Sequence, residues 1–325
     1  EVGMNMRFLK NFELDVTYYN AKTMNQTFNP ELPVGEYARI YIQTGAVRNQ
    51  GLELALNYNN TWKDFTWNTG VTYSMNKNKI LTLADNAINP ITGEKFSISS
   101  LNMGGLGSTR FILKEGGSMG DIYSLMDLKR DANGAVYIDE NNSVVTESLE
   151  ANNYIKLGSV LPKGNLAWRN NFSWKNINVA FLVSARLGGV VFSRTQAVLD
   201  NFGVSEASAA ARDKGYVSVN GNDRVNPEGW YSVVAGGTAV PQYYIYSATN
   251  IRLQEASIGY TIPRKWLGNV CDIKVSLIGR NLWMIYNKAP FDPESVATTG
   301  NYYQGIDYFM MPSLRSVGFN LKLKF

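Results

Sequence analysis

Two pairs of carboxylates, Asp292 with Glu294 and Asp139 with Glu140, are the side chains here best suited to acid–base work on a sugar. Such chemistry needs carboxyls roughly 5–10 Å apart across the scissile bond. Neighbours in sequence guarantee no such separation, and loop turns satisfied by their own backbone account for both pairs. The stretch Lys129 to Glu140 (KRDANGAVYIDE) offers oxygen ligands at alternate positions. With Gly134 at the turn, Asp131 and Asn133 fall at calcium-ligand positions and Glu140 at the last. Lys129 then stands first, where a carboxylate is needed, so no metal is expected and an Asn-Gly turn between two short loop strands is the simpler reading. Gly104-Gly105-Leu106-Gly107 and Gly116-Gly117 lack both the Gly-Lys-Ser/Thr ending and the strand-to-helix setting of a phosphate loop. They read as flexible loop. No histidine is present, which removes Ser-His-Asp and Cys-His catalysis and most zinc sites. The single Cys271 permits no intrachain disulfide. These residues point away from an enzyme, and no cofactor is expected.

Non-covalent recognition is better served. The 325 residues include 19 Tyr, 14 Phe and 7 Trp. Trp230-Tyr231, Tyr243-Tyr244 and Tyr302-Tyr303 fall in long polar segments, where rings can stack on sugar faces, pack against a partner, or simply pack loops together. A net charge of +4 without a dense Lys/Arg cluster argues against nucleic acid.

The elements that must position these rings are strands. Val317 to Phe325 (VGFNLKLKF) alternates without a fault: Val317, Phe319, Leu321, Leu323 and Phe325 share one face, and Gly318, Asn320, Lys322 and Lys324 the other. Eight further strands read at about 2–9, 12–27, 39–59, 65–79, 164–174, 177–188, 249–262 and 271–285. Their connections alternate short and long. Lys10-Asn11, Asn60 to Asp64, Lys175-Asn176 and IPRKWLGNV are short; a loop carrying Pro30 and Pro33, and the segments 80–162, 189–248 and 286–312, are long. Long loops at one end and short turns at the other suit a transmembrane antiparallel β-barrel, whereas such loops are rare in compact soluble domains. No run of about 18 apolar residues exists, and a barrel needs none, since only alternate residues meet lipid.

The faces agree with that reading. One set runs Val2, Met4, Met6, Phe8, then Phe12, Leu14, Val16, Tyr18, and continues through Leu52, Leu54, Leu56, Phe65, Trp67, Val71, Ile177, Val179, Phe181, Ile273 and Val275. None is charged. The opposite set holds Asn5, Arg7, Glu13, Asp15, Glu53, Asn57, Arg169, Arg186, Asp272 and Lys274. An Arg or Lys facing lipid at the midplane would cost about 2–4 kcal/mol, while a watery lumen accepts it. Trp62, Trp67, Trp174 and Trp266 stand near strand ends, where a membrane boundary favours them. A soluble, carbohydrate-binding β-sandwich shares the alternation but explains neither the loop asymmetry nor the aromatic ends.

Several segments resemble the SusC/RagA family of TonB-dependent outer-membrane transporters from Bacteroidetes. They are Gln50 to Asn59 (QGLELALNYN) with Asp64 to Trp67 and Asn76 to Ile80 (NKNKI), Asn250 to Pro263 (NIRLQEASIGYTIP), Val275 to Glu294 (VSLIGRNLWMIYNKAPFDPE), and Ser313 to Phe325 (SLRSVGFNLKLKF). Barrels of this kind have 22 strands. The resemblance therefore implies that residues 1–325 form the C-terminal portion of such a barrel, its last nine or so strands, with the plug domain and earlier strands absent. Glu1 opens almost directly into a strand, as expected of a chain that begins within a longer protein. Family members often carry a calcium-type loop near Lys129 to Glu140, which this sequence matches poorly.

The resemblance also implies import of oligosaccharides, or of peptides, across the outer membrane with a SusD-like surface lipoprotein as a lid and TonB acting through the absent plug. Arg7, Glu13, Asp15 and Arg186 would line the lumen, where the plug sits. Phe319, Leu321, Leu323 and Phe325 would form the terminal strand read by the barrel-assembly machinery, pairing with a first strand outside this chain. A siderophore-type receptor and a passive porin are the nearest alternatives.

Overall fold

A computed structural model describes residues 1–28, 41–89, 92–237, 240–268, 270–298 and 303–324. The loop with Pro30 and Pro33, Tyr302 and Phe325 lie outside these residues. Nine antiparallel strands form one sheet whose spatial order follows the chain. They are β1 (Val2–Phe8), β2 (Phe12–Phe28), β3 (Ile42–Trp62), β4 (Phe65–Thr82), β5 (Gly164–Trp174), β6 (Ile177–Leu187), β7 (Asn250–Ile262), β8 (Asp272–Asn287) and β9 (Ser316–Lys324). Each strand foreseen from alternation is present. β3, β4 and β8 run two or three residues further than alternation indicated, because backbone pairing continues after the side chains cease to alternate, as at Trp62↔Phe65 and Ala46↔Thr82. Among the described residues β1 pairs only with β2, and β9 only with β8.

Register carries the two faces from strand to strand, since directly opposed residues point the same way. One row runs Met4–Val16–Leu54–Tyr73–Leu166–Ala185–Ile251–Tyr286. Among the described residues no second sheet covers this apolar face: Leu56, Ile258, Leu277 and Phe319 are 40%, 54%, 55% and 82% exposed. That exposure removes the β-sandwich, whose core would have to bury these residues. No helix among the described residues is long and apolar enough to cross a membrane.

Near the short turns, aromatic rings succeed one another across the apolar face. Phe8 stacks on Phe12 at 5.3 Å, Phe12 meets Tyr58 at 4.7 Å, Tyr58 meets Trp67 at 5.3 Å, and Trp67 stacks on Phe172 at 6.1 Å. Trp62 stacks on Phe65 alongside them. The one buried amide on this face, Asn170, accepts a hydrogen bond from the Trp67 indole at 3.1 Å, and the Trp168 indole donates to Thr69. The band thus pairs the Trp67 and Trp168 indole N–H groups internally, while the Asn170 Nδ2 is buried without a partner among the described residues.

Segments read as long loops prove to be folded. Between β4 and β5, Ser100–Leu106, Thr109–Lys114, Asp121–Ser124 and Ile155–Ser159 form a four-stranded sheet. Between β6 and β7 lie α1 (Arg194–Asn201), α2 (Glu206–Lys214) and α3 (Pro227–Val234). Ser193, Ser205 and Asn226 cap them by accepting from Gln196, Ser208 and Glu228 backbone N–H groups. These pieces share a core of Phe111, Ile122, Leu128, Phe192, Val234 and Ile306, all almost wholly buried. The glycines at 104–107 belong to the hairpin Ser100–Leu106/Thr109–Lys114 instead of a flexible loop. At Gly105 any Cβ would sit 2.0 Å from the Thr109 carbonyl oxygen, so only glycine permits the approach.

Candidate functional site

The polar face builds a groove by register alone. Thr17, Glu53, Ser74, Asn165, Arg186 and Asn250 occupy one row across β2 to β7. Asp15, Ala55, Thr72, Ala167, Ser184 and Arg252 occupy the next. From β2 to β6 these rows line a groove of about 520 Å³, to which Glu294 also contributes. Its lining carries both charge signs, hydroxyls and one amide, and Tyr73 is the one aromatic residue in it. Nearer the short turns the same face is held by pairs: Arg7 bridges Glu13 at 3.0 Å and Asn5 donates to Asp15. Arg280 bridges Glu255 at 3.0 Å, and Lys274 donates to Asn178 at 3.1 Å. Of the lumen residues named from sequence, Asp15 and Arg186 reach the groove, while Arg7 and Glu13 pair with each other further down.

Loop 288–315 enters this face through an ionic cluster. The Arg252 guanidinium, 5% exposed, donates to Asp292 at 2.9 Å and lies 3.0 Å from Glu294. Asn250 donates to Glu294, and the Ser313 backbone N–H donates to Asp292. Burial pushes the Asp292 carboxyl upward, but its hydrogen bonds from Ser313, Glu294 and Arg252 outweigh that and hold it below the usual carboxylate range. A carboxyl so held stays ionised near neutrality and cannot act as a general acid. The pair that resembled a glycosidase dyad in sequence is a tether: it joins the loop to the wall.

The calcium candidate is likewise a backbone device. Asp131 Oδ1 accepts from the Asn133 and Ala135 N–H groups at 2.9 Å each, across a turn with Gly134 at φ 82°. Asp139 repeats the arrangement, accepting from Asn141 and Ser143 with Asn142 at φ 57°. Bridges Arg130↔Val136 and Ile138↔Val144 close the two turns. Glu140 is exposed beyond the first turn, and no group of three His, Cys, Asp or Glu gathers among the described residues.

The loop aromatics divide by role. Trp230 on α3 meets Tyr243 edge-to-face at 5.2 Å, with Tyr243 39% exposed. Tyr231 lines a second cleft of about 770 Å³ with Asp200, Asn201, Arg212, Asn226 and Glu228. Tyr244, in contrast, is buried, and its hydroxyl donates to Asp200 at 3.0 Å. Its ring belongs to the core of the folded loops, where Asp200 accepts its hydroxyl proton in a hydrogen bond. Burial, followed by the Asp200 charge, raises the Tyr231, Tyr244 and Tyr246 phenols, Tyr246 to about 12. All three are therefore hydrogen-bond donors at neutral pH. Tyr303 is exposed, its ring 6.5 Å from Phe111. Sequence reasoning missed Arg252 and Asp200. Arg252 could have been found as the one cation set within the apolar alternation of β7; nothing marked Asp200.

No family model matches the chain. It is 25% identical, over its whole length, to TonB-dependent receptor P3 of Formosa agariphila, of which it covers 34%. To TonB-dependent receptor P26 of the same organism it is 27% identical over 96% of its length, covering 32% of that protein. The chain thus spans about a third of the curated relatives it matches. Among solved structures, the RagAB peptide importer in its closed-closed state superposes on 98% of this chain with a TM-score of 0.70 at 17% identity, using 34% of that chain. The RagAB peptide transporter gives 0.69 at 15% identity over 97%. This likeness is one of fold.

Proposed function

We propose that this chain, a SusC/RagA-like part of a TonB-dependent receptor, forms wall, polar lining and surface loops of an outer-membrane importer. The observation that carries the reading is the division of the nine-stranded sheet into an exposed apolar face and a polar, ion-paired one, with the folded segments at the long-loop end and short turns at the other. A membrane outside and a watery passage inside account for both faces at once. The work is binding and gating. The groove's mixture of hydroxyls, amide and both charges suits a polar oligomer with donors and acceptors along its length, a peptide or an oligosaccharide. By resemblance, a SusD-like surface lipoprotein would close over the long-loop end, and TonB would act through a plug outside this stretch.

Purifying the full-length protein from native outer membranes in mild detergent tests this reading. The expected result is a heat-modifiable barrel that brings with it a surface lipoprotein and a bound peptide or glycan, identified by mass spectrometry. A protein extracted without detergent would overturn the membrane reading. A barrel that brings no lipoprotein and binds an iron chelate would favour the siderophore type.

A further inference from the structure

Each short turn of the sheet carries an exposed cation. Lys10 follows β1, Lys63 joins β3 to β4, Lys175 joins β5 to β6, and Lys265 lies in the 3₁₀ turn Arg264–Leu267 between β7 and β8. Three of them stand where lysine is a poor choice: Lys10, Lys63 and Lys175 have φ of 61°, 53° and 51°. Hairpin turns of two or three residues favour Gly, Asn or Asp at positive φ, since a side chain there crowds the backbone. Turn geometry alone therefore does not explain three lysines.

The turns are also fixed side by side. The Asn59 N–H donates to the Asn11 carbonyl at 3.0 Å, Lys175 N–H to Asp64 at 3.0 Å, and Thr261 N–H to Asn176 at 2.8 Å. The cations consequently form an ordered rim. Directly above it lies the aromatic band, and the two are in contact: the Lys175 ammonium sits 5.3 Å over the Trp174 ring. Trp62, Trp174 and Trp266 are 47%, 54% and 65% exposed beside these turns.

We infer that this rim binds the headgroups of anionic phospholipids in the leaflet on the short-turn side. The inference rests on the membrane reading above. An apolar wall, then indole rings, then ammonium groups reproduces, in order, acyl chain, glycerol-carbonyl layer and phosphate. Lysine stems can lie along the rings while their charged heads reach the phosphates. Phosphate is the only one of these layers that rewards a cation, and an anionic headgroup lacks the ammonium or choline that would repel it.

The test uses the full-length protein, delipidated in detergent and then titrated with phosphatidylglycerol or phosphatidylcholine, with bound lipid counted by native mass spectrometry. Wild type should hold phosphatidylglycerol at least about five-fold more tightly, the factor that even one interfacial cation contributes. The quadruple variant Lys10→Gln, Lys63→Gln, Lys175→Gln, Lys265→Gln should lose that preference, and the corresponding four Lys→Arg changes should keep it. Glutamine and arginine are as unbranched at Cβ as lysine, so the turns keep their geometry. A barrel with normal heat-modifiable mobility that holds both lipids equally overturns this inference alone. A wild-type protein that will not enter bilayers overturns it together with the membrane reading. A glutamine variant that keeps the preference places the anionic lipid elsewhere and overturns it as well.

Discussion

Arg252 decides where the last long loop lies, because its buried guanidinium is shared by Asp292 and Glu294. Removing one member of such a cluster leaves uncompensated charge, a loss of about 3–5 kcal/mol. Arg252→Met should therefore release loop 288–315, seen as faster hydrogen exchange and protease cleavage there. Adding Asp292→Leu should recover much of the order, since no unpaired buried charge would remain at that position. Acid should act in the same direction. The Asp292 carboxyl is held below its usual value of 3.8, so its contribution is complete above that value and is lost as pH falls beneath it. Cleavage of the loop should rise at pH 3 relative to pH 7. At the other end of the scale stands Tyr246, packed edge-to-face on Phe291 and raised to about 12. A phenol that resists ionisation in the folded state contributes below its usual 10.0 and loses that contribution as pH climbs toward 12. The near-ultraviolet circular dichroism of the loop aromatics should fade over that interval. Tyr244→Phe should loosen the same region by about 1.5–3 kcal/mol, because Asp200 then keeps, among the described residues, only the Gln196 amide as a side-chain donor. That loss would appear as a lowered temperature of protease nicking in the folded loops.

At the scale of elements, period-two alternation was enough to place all nine wall strands, because the wall has two unlike faces and one residue of slippage would exchange them. Leu56 and Asn57 make the point testable. Leu56 lies on the apolar face between Leu14 and Val71, and Asn57 on the polar one between Glu13 and Gly70. Leu56→Arg should destabilise the barrel by about 2–4 kcal/mol in denaturant titrations from lipid, and Asn57→Arg should change little. Equal effects would mean that the two faces are not lipid and water. The folded loops were not legible in the same way. Their strands are two to seven residues long and their α-helices eight or nine, too short for periodicity to stand out. Ser193, Ser205 and Asn226 do announce helix starts, yet each reads as ordinary loop polarity until the core around Phe192 and Val234 is known. Tyr244 illustrates the same limit for the site. Its sequence neighbour Tyr243 is exposed, and only the position of Asp200 tells the two apart.

For the whole molecule, the decisive feature is a pair of strand edges. β1 and β9 each have one neighbour among the described residues, and every described residue of β9 is exposed, with Val317 at 67% and Phe319 at 82%. An unpaired edge beside an apolar face is a hazard in water and an unsatisfied backbone in lipid. Strands outside this stretch satisfy both edges in the reading proposed here, and hydrogen exchange can decide the matter. In an antiparallel strand some amides point toward one neighbour and the rest toward the other. The β9 amides directed to β8 should be protected whether the 325-residue stretch is alone in detergent or part of the full-length protein in a bilayer. Those directed away from β8 should exchange rapidly in the isolated stretch and slowly in the full-length protein. Rapid exchange in both would mean that β9 ends a sheet that stays open, and the groove of polar residues would then face solvent at large instead of a passage. Slow exchange confined to the full-length protein would make this sheet one arc of a closed wall, with its charged rows turned inward because no other side of the barrel is wet.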